Sequence, residues 1–87
     1  MTQIYVAIIN HRHGTNLYAA TTEAGMRRQV ADYCREWWGE CEGFEPDAPT
    51  SDLEVIGQYF DWQNENGSEF WEGECVDLVG ETIGVEG

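Results

Sequence analysis

The spacing of hydrophobic residues along the chain changes several times, and each change indicates a new strand or helix. Residues 2–10 (TQIYVAIIN) are rich in β-branched and aromatic types, which predicts a strand buried on at least one face. A turn follows at residues 11–15, where Gly14 suits a positive φ. Residues 16–20 then form a second strand, so the chain opens with a hairpin.

After the hairpin the apolar period becomes three and four residues, which predicts a helix over residues 22–38. Thr21 or Thr22 is its N-cap, Glu23 lies in its first turn, and Gly39 ends it. Trp38 points about 100° away from its neighbour on a helix and lies at the edge of the apolar stripe or outside it. The core-facing stripe comprises Met26, Val30, Tyr33, Cys34, Trp37 and Cys41.

A loop over residues 39–50 separates this helix from a second one. Ser51 and Glu54 have the spacing of a capping box, which predicts a helix over residues 52–63. Residues 70–79 alternate and predict a third strand that is bent or bulged at Gly73, although both of its faces are partly apolar. The tail is either an edge strand around residues 82–85 or frayed. The stripe of the second helix comprises Leu53, Ile56, Tyr59, Phe60 and Gln63.

The order β-β-α-α-β predicts an α+β fold, a small antiparallel sheet with two helices packed on one face. The 87 residues suffice for one domain with one small core, residues 1–87, and the 13% aromatic content argues against disorder. No stretch approaches the roughly 20 apolar residues of a membrane span, and Met1 is not followed by a basic leader region. We therefore expect a cytoplasmic protein.

Candidate chemistry is sparse. The three cysteines (Cys34, Cys41 and Cys75) are an odd number, which favours buried, reduced thiols over a disulfide scaffold. His11 and His13 flank Arg12 and are candidate metal ligands, but we interpret them as part of a solvent-exposed basic turn. The chain has no phosphate-binding loop, no Ser/His/Asp arrangement and no lysine, and its core can scarcely spare a pocket. We predict neither an enzyme nor a cofactor or metal.

Charge is segregated along the chain. Residues 1–35 hold all four arginines and two acids, whereas residues 36–87 hold fifteen acids and no base, so the net charge is −13. Such an imbalance bears on partners and association rather than on fold. Direct binding to nucleic acid is excluded, because the phosphate backbone would repel the chain.

Three explanations compete for the unbalanced carboxylates. Adaptation to high salt would act on the whole surface, yet residues 1–35 are net positive. An acidic adaptor would dock on a basic protein surface, and a mimic would imitate nucleic acid. A globule of this size is about 30 Å across, and 30 Å of B-DNA carries about 18 phosphates. Fifteen carboxylates along one flank approach that number, which favours mimicry.

The chain resembles the small, acidic, lysine-free inhibitors of bacterial defence that bacteriophages encode, chiefly anti-CRISPR and anti-restriction proteins. The resembling segment is IYVAIINHRHGTNLYAATTEAGMRRQVADYCREWW, a hairpin followed by a capped Trp-Trp helix, which is about 40% of the chain. These inhibitors share no common motif, so the resemblance assigns no residues. It implies that the protein inhibits a nucleic-acid-handling complex.

The sequence therefore predicts a non-enzymatic inhibitor that binds the positively charged nucleic-acid-binding site of a host defence complex, with a CRISPR effector favoured. The alternative is an acidic adaptor or regulator that binds a host protein away from any nucleic-acid site. Neither a membrane partner nor an oligomeric state is predicted. The candidate partner-binding residues are the acids Glu54, Asp61, Glu65, Glu69, Glu72 and Glu74 and the aromatic anchors Trp38, Tyr59 and Trp62.

Overall fold

A computed structural model describes residues 2–44 and 46–78. Its elements are β1 (Thr2–His11), β2 (Gly14–Ala20), α1 (Glu23–Glu36), α2 (Asp52–Asn66) and β3 (Phe70–Leu78), with a 3-10 turn at Trp38–Glu40. The predicted β-β-α-α-β order and α+β fold are confirmed. The expected edge strand at residues 82–85 lies outside the described residues, as does residue 79.

The sheet has the strand order β2-β1-β3, and both pairs of neighbours are antiparallel. A two-residue turn joins β1 to β2, and Gly14 follows it with a φ of +139°, in the region that glycine tolerates best. Ala7 and Ile9 of β1 are fully buried in one core with Val30 of α1 and Val55 of α2. The central strand therefore carries the helical layer on one face.

Helix α1 begins as predicted and ends earlier. The side chain of Thr22 caps it by accepting a hydrogen bond from the Gly25 amide at 3.0 Å. Because the helix ends at Glu36, the expected 100° step between the two tryptophans does not apply. The 3-10 turn leaves Trp37 41% exposed and buries Trp38, which stacks on Phe44 with ring centroids 4.2 Å apart. The prediction that Trp37 belongs to the core is thus wrong.

Helix α2 starts at the predicted cap, where Ser51 Oγ accepts a hydrogen bond from the Glu54 amide at 3.4 Å, and it runs three residues further than predicted, to Asn66. The predicted stripe is wrong at its start, because Leu53 is exposed while Val55 is fully buried. Apolar residues occur on two sides of this turn, so periodicity alone could not choose between them.

The third strand presents its odd-numbered residues to the helices. The Trp71 ring lies 6.3 Å from the Phe60 ring of α2. A Cβ added to Gly73 would lie 3.1 Å from the Trp71 ring and 3.2 Å from Met26 Cε of α1. Because side chains alternate along a strand, Phe70, Glu72, Glu74 and Val76 point away from the helices.

Candidate functional site

Three of the predicted acids form a row on the solvent side of α2. Glu54, Asp61 and Glu65 are all exposed, and their spacings of seven and four residues place them on one side of the helix. The opposite side of the helix buries Ile56, Tyr59 and Gln63. At 1.5 Å per residue the row is about 16 Å long. We call these three residues the α2 row.

Three of the four arginines lie on α1 and pair with acids of α1 or of the start of α2, whereas the fourth, Arg12, lies at the hairpin turn. Arg27 pairs with Glu23, Arg28 with Asp32, and Arg35 with both Asp32 and Asp52. Arg35 also donates to the Thr50 carbonyl at 2.9 Å, so three acceptors hold its guanidinium where α1 meets the start of α2. Among the described residues, none of the acids from Glu54 to Asp77 has a cationic partner.

Glu72 and Glu74 lie on the other side of the molecule. They are register partners of Ile8 and Val6 on β1, and partners in an antiparallel pair point to the same face. That face is the one turned away from both helices. These two carboxylates therefore cannot continue the α2 row, and the acids expected along one flank are divided between two surfaces.

Glu69 has a structural position. Its Oε1 accepts hydrogen bonds from the hydroxyls of Tyr33 at 2.8 Å and Tyr59 at 2.7 Å, and its amide donates to Gln63 Oε1 at 3.3 Å. The carboxylate thus joins α1, α2 and the segment leading into β3. A half-buried carboxylate with two hydroxyl donors is a clamp between elements, which does not fit the expected exposed phosphate substitute.

Above pH 10 this clamp is expected to make folding sensitive to pH. Burial first, and then the hydrogen bond to Glu69, raise the pKa of both Tyr33 and Tyr59 above its ordinary value. The unfolded chain therefore loses these protons at about pH 10 while the folded chain retains them, so the free energy of unfolding falls as pH rises further. Urea titrations between pH 8 and 11 should show this fall and a smaller one for Tyr59→Phe. Identical slopes for the two proteins would contradict the assignment.

Two of the three predicted aromatic anchors are core residues. Trp38 is 5% exposed and Tyr59 is 1% exposed, so neither can touch a partner in this conformation. Trp62 is half-buried, and its Nε1 donates to the Glu42 carbonyl at 3.0 Å, which ties the loop after α1 to α2. The anchor assignment is wrong for Trp38 and Tyr59, because a small core uses its largest side chains to fill space.

A cleft of about 480 Å³ opens between the hairpin turn and the carboxyl-terminal ends of α1 and α2, contrary to the expectation that so small a core would spare no pocket. Its walls are aromatic and carry charges of both signs. Arg12 and His13 lie on the hairpin side, and Glu36 and Glu40 lie on the helical side. This lining suits binding contacts, and Asn66 of the cleft wall directly follows Glu65 of the α2 row.

The histidines of the turn are held by local hydrogen bonds. His11 Nδ1 accepts from the His13 amide at 3.2 Å, and His11 Nε2 lies 3.2 Å from Asn16 Oδ1. Both ring nitrogens of His11 are therefore engaged within the hairpin. In the part of the chain that the structure describes, no group of three His, Cys, Asp or Glu side chains could hold a metal ion.

The cysteines differ in environment. Cys34 and Cys41 are buried, as expected, whereas Cys75 on β3 is exposed, so the expectation of buried thiols is wrong for that residue. Burial raises the pKa of the Cys34 thiol well above its usual range and that of Cys41 to about 11. Both buried thiols are therefore protonated at neutral pH and act as small apolar side chains.

Comparison with protein-family models, with curated protein sequences and with solved structures gives no match. Neither described helix has the length and apolar composition needed to cross a membrane. The assignment of functional residues therefore rests on the geometry of this chain.

Proposed function

We propose that this protein is a non-enzymatic acidic inhibitor of a host defence complex, acting in the cytoplasm of an infected bacterium. It binds the positively charged nucleic-acid-binding site of that complex, and a CRISPR effector is the first target to test. The observation that carries the proposal is the α2 row, in which Glu54, Asp61 and Glu65 are exposed on one side of a helix without a cationic partner among the described residues.

The charge density near the row supports mimicry of a single strand. One strand of B-DNA carries about five phosphates over 16 Å, and the row supplies three carboxylates over a similar length. Exposed acids from the end of α1 and the loop after it lie close by: Glu36 and Glu40 line the same cleft as Trp62, and the Glu42 carbonyl accepts from Trp62. The helical side then carries six carboxylates, and Arg12, which lines the same cleft, offsets one of them, so the net charge is close to that of one strand.

Among the described residues, no cation of the fold pairs with a carboxylate of the α2 row. The bound arginines neutralise Glu23, Asp32 and Asp52 at α1 and at the start of α2, and the remaining carboxylates repel one another. A partner surface rich in arginine and lysine removes that repulsion and attracts the protein over long range. A site already arranged for phosphates meets this requirement.

The test uses a purified, guide-loaded CRISPR effector and its fluorescent target DNA. The protein is expected to displace the DNA, and its Kd should rise at least about tenfold between 50 and 200 mM salt, because an ionic interface is screened. The variant Glu54→Gln/Asp61→Asn/Glu65→Gln should lose displacement. Because these side chains are exposed, the variant should remain folded by circular dichroism.

The matched control is Glu72→Gln/Glu74→Gln/Asp77→Asn, which changes the net charge equally but leaves the α2 row intact. It should displace DNA as the parent protein does. If both variants lost DNA displacement equally, net charge alone would explain the effect, and the assignment of the α2 row would be wrong. An affinity independent of salt, or no binding to effectors of any type, would overturn the inhibitor proposal.

The alternative function, an acidic adaptor, gives a different result in the same assay. An adaptor that binds away from the nucleic-acid site forms a ternary complex with effector and DNA, whereas an inhibitor of the proposed kind excludes DNA. Co-elution of all three components would therefore replace the proposed function by the adaptor.

A further inference from the structure

The sheet face turned away from the helices is apolar along its centre. Ile4, Val6 and Ile8 of β1 point to this face and are only half-buried, in contrast to the fully buried Ala7 and Ile9 on the helical side. Both described helices pack on the other side. We call this surface the open face. Its other described apolar members are Leu17 and Ala19 on β2 and Phe70 and Val76 on β3.

Two large side chains of the open face, one on each edge strand, are mostly exposed. Leu17 is 69% exposed and Phe70 is 58% exposed. Leu17 is the register partner of Ile8, and Phe70 is the partner of Asn10, so they lie on the two edge strands on either side of β1. A contiguous apolar patch of this kind is typical of an interaction surface rather than of the free surface of a monomer.

Beside this patch lies a small depression with a mixed lining. It measures about 110 Å³ and is bordered by Val6 and Ile8 together with the β3 segment Glu72–Glu74. The aliphatic side chains supply an apolar floor, and the two glutamates supply carboxylates. A lysine or arginine side chain fits such a lining, since its methylene stem packs on apolar surface while its charged head meets a carboxylate.

Charge decides between the possible occupants. A second copy in a twofold pair would set this patch against itself and place Glu72 and Glu74 of both copies in one interface. No described residue of the open face is a base, so nothing would offset that repulsion. Nucleic acids and anionic membranes are repelled by the same carboxylates and by the net charge of −13. A protein segment that combines apolar side chains with a cation satisfies both parts of the surface.

We infer that the open face is a docking site for a segment of another protein in which apolar side chains flank a lysine or arginine. The apolar side chains cover Leu17 and Phe70, and the cation enters the depression between Val6, Ile8 and the two glutamates. The inference goes beyond the proposed function, because this surface lies on the opposite side of the sheet from the α2 row.

The probe is an acetylated and amidated twelve-residue peptide of alternating leucine and lysine, measured by fluorescence anisotropy. It should bind the parent protein, while peptides with glutamate in place of lysine or serine in place of leucine should not. Leu17→Ser/Phe70→Ser should weaken binding at least tenfold. Glu72→Gln/Glu74→Gln should also weaken it, whereas Glu23→Gln/Asp47→Asn, with the same change in charge at exposed positions outside both proposed surfaces, should leave it unchanged.

Three results would overturn the inference. The first is the absence of binding to the parent protein, or binding that responds equally to both pairs of charge variants. The second is a parent protein that sediments as a dimer and becomes a monomer in Leu17→Ser/Phe70→Ser, which would identify a second copy as the occupant. The third is a large loss of stability in that variant, which would show that the chain itself covers these side chains.

Discussion

Trp38→Ala is expected to lower the free energy of unfolding by about 3–5 kcal/mol, the usual cost of truncating a buried aromatic residue. Trp38 is 5% exposed, and its ring stacks on Phe44, which in turn lies 6.4 Å from the Trp62 ring. Removing the indole leaves a cavity where the 3-10 turn and the following loop meet the core. Urea unfolding monitored by circular dichroism measures the loss. In so small a domain the loss is a large share of the total stability.

Trp37→Ala is the matched control, since it removes the same side chain from the adjacent position. Trp37 is 41% exposed, and its ring lies beside that of Tyr33, with the two ring centroids 6.4 Å apart. We expect a loss below about 1 kcal/mol, as at most surface positions. Equal losses at the two positions, or a larger loss at Trp37, would contradict the observed exchange of the two tryptophans between core and surface.

Glu69→Ala is expected to cost about 3 kcal/mol, because two hydroxyl groups lose a charged acceptor and buried donors are left unpaired. Tyr33 and Tyr59 both donate to Glu69 Oε1, and both tyrosines are buried. Glu69→Gln keeps an acceptor oxygen without its charge and should cost less. Chemical denaturation of the three proteins orders them as parent, Gln and Ala.

Glu65→Ala serves as the control for loss of an acid from the same region. Its side chain is exposed on the solvent side of α2, so a change of no more than about 0.5 kcal/mol is expected. A loss at Glu65 as large as that at Glu69 would mean that charge, and not the hydrogen bonds to the tyrosines, determines the effect. A double-mutant cycle of Glu69→Gln with Tyr59→Phe measures the coupling directly.

Local sequence signals predict most of the fold. Thr22 and Ser51 cap the two helices, each hydroxyl accepting from the amide three residues further along, and alternation in residues 70–79 predicts β3. The sequence predicts the carboxyl-terminal end of a helix less well than its capped start. Helix α1 stops at Glu36, and the 3-10 turn that follows buries Trp38 against Phe44, a contact that the apolar periodicity of the helix does not indicate.

The candidate site is less predictable for a related reason. Composition shows an excess of acids, but only the sheet register shows that Glu72 lies on the opposite side from Glu65. Glu69 has the same chemistry as its neighbours in sequence, and its role depends on two tyrosines contributed by different helices. One signal was available for the open face, since residues 4–9 are apolar at both odd and even positions.

The central position of β1 has a consequence for how the chain folds during synthesis. The strand pairs with β2 on one edge through a local turn, but its other edge pairs with β3, about sixty residues later in the chain. Until residues 70–78 leave the ribosome, the backbone amides and carbonyls of that edge are open to pairing with any other extended chain. The long loop that this pairing closes makes it a late and slow step. Completion of the sheet, rather than formation of the hairpin, therefore ends the exposure of this edge of β1 to other nascent chains.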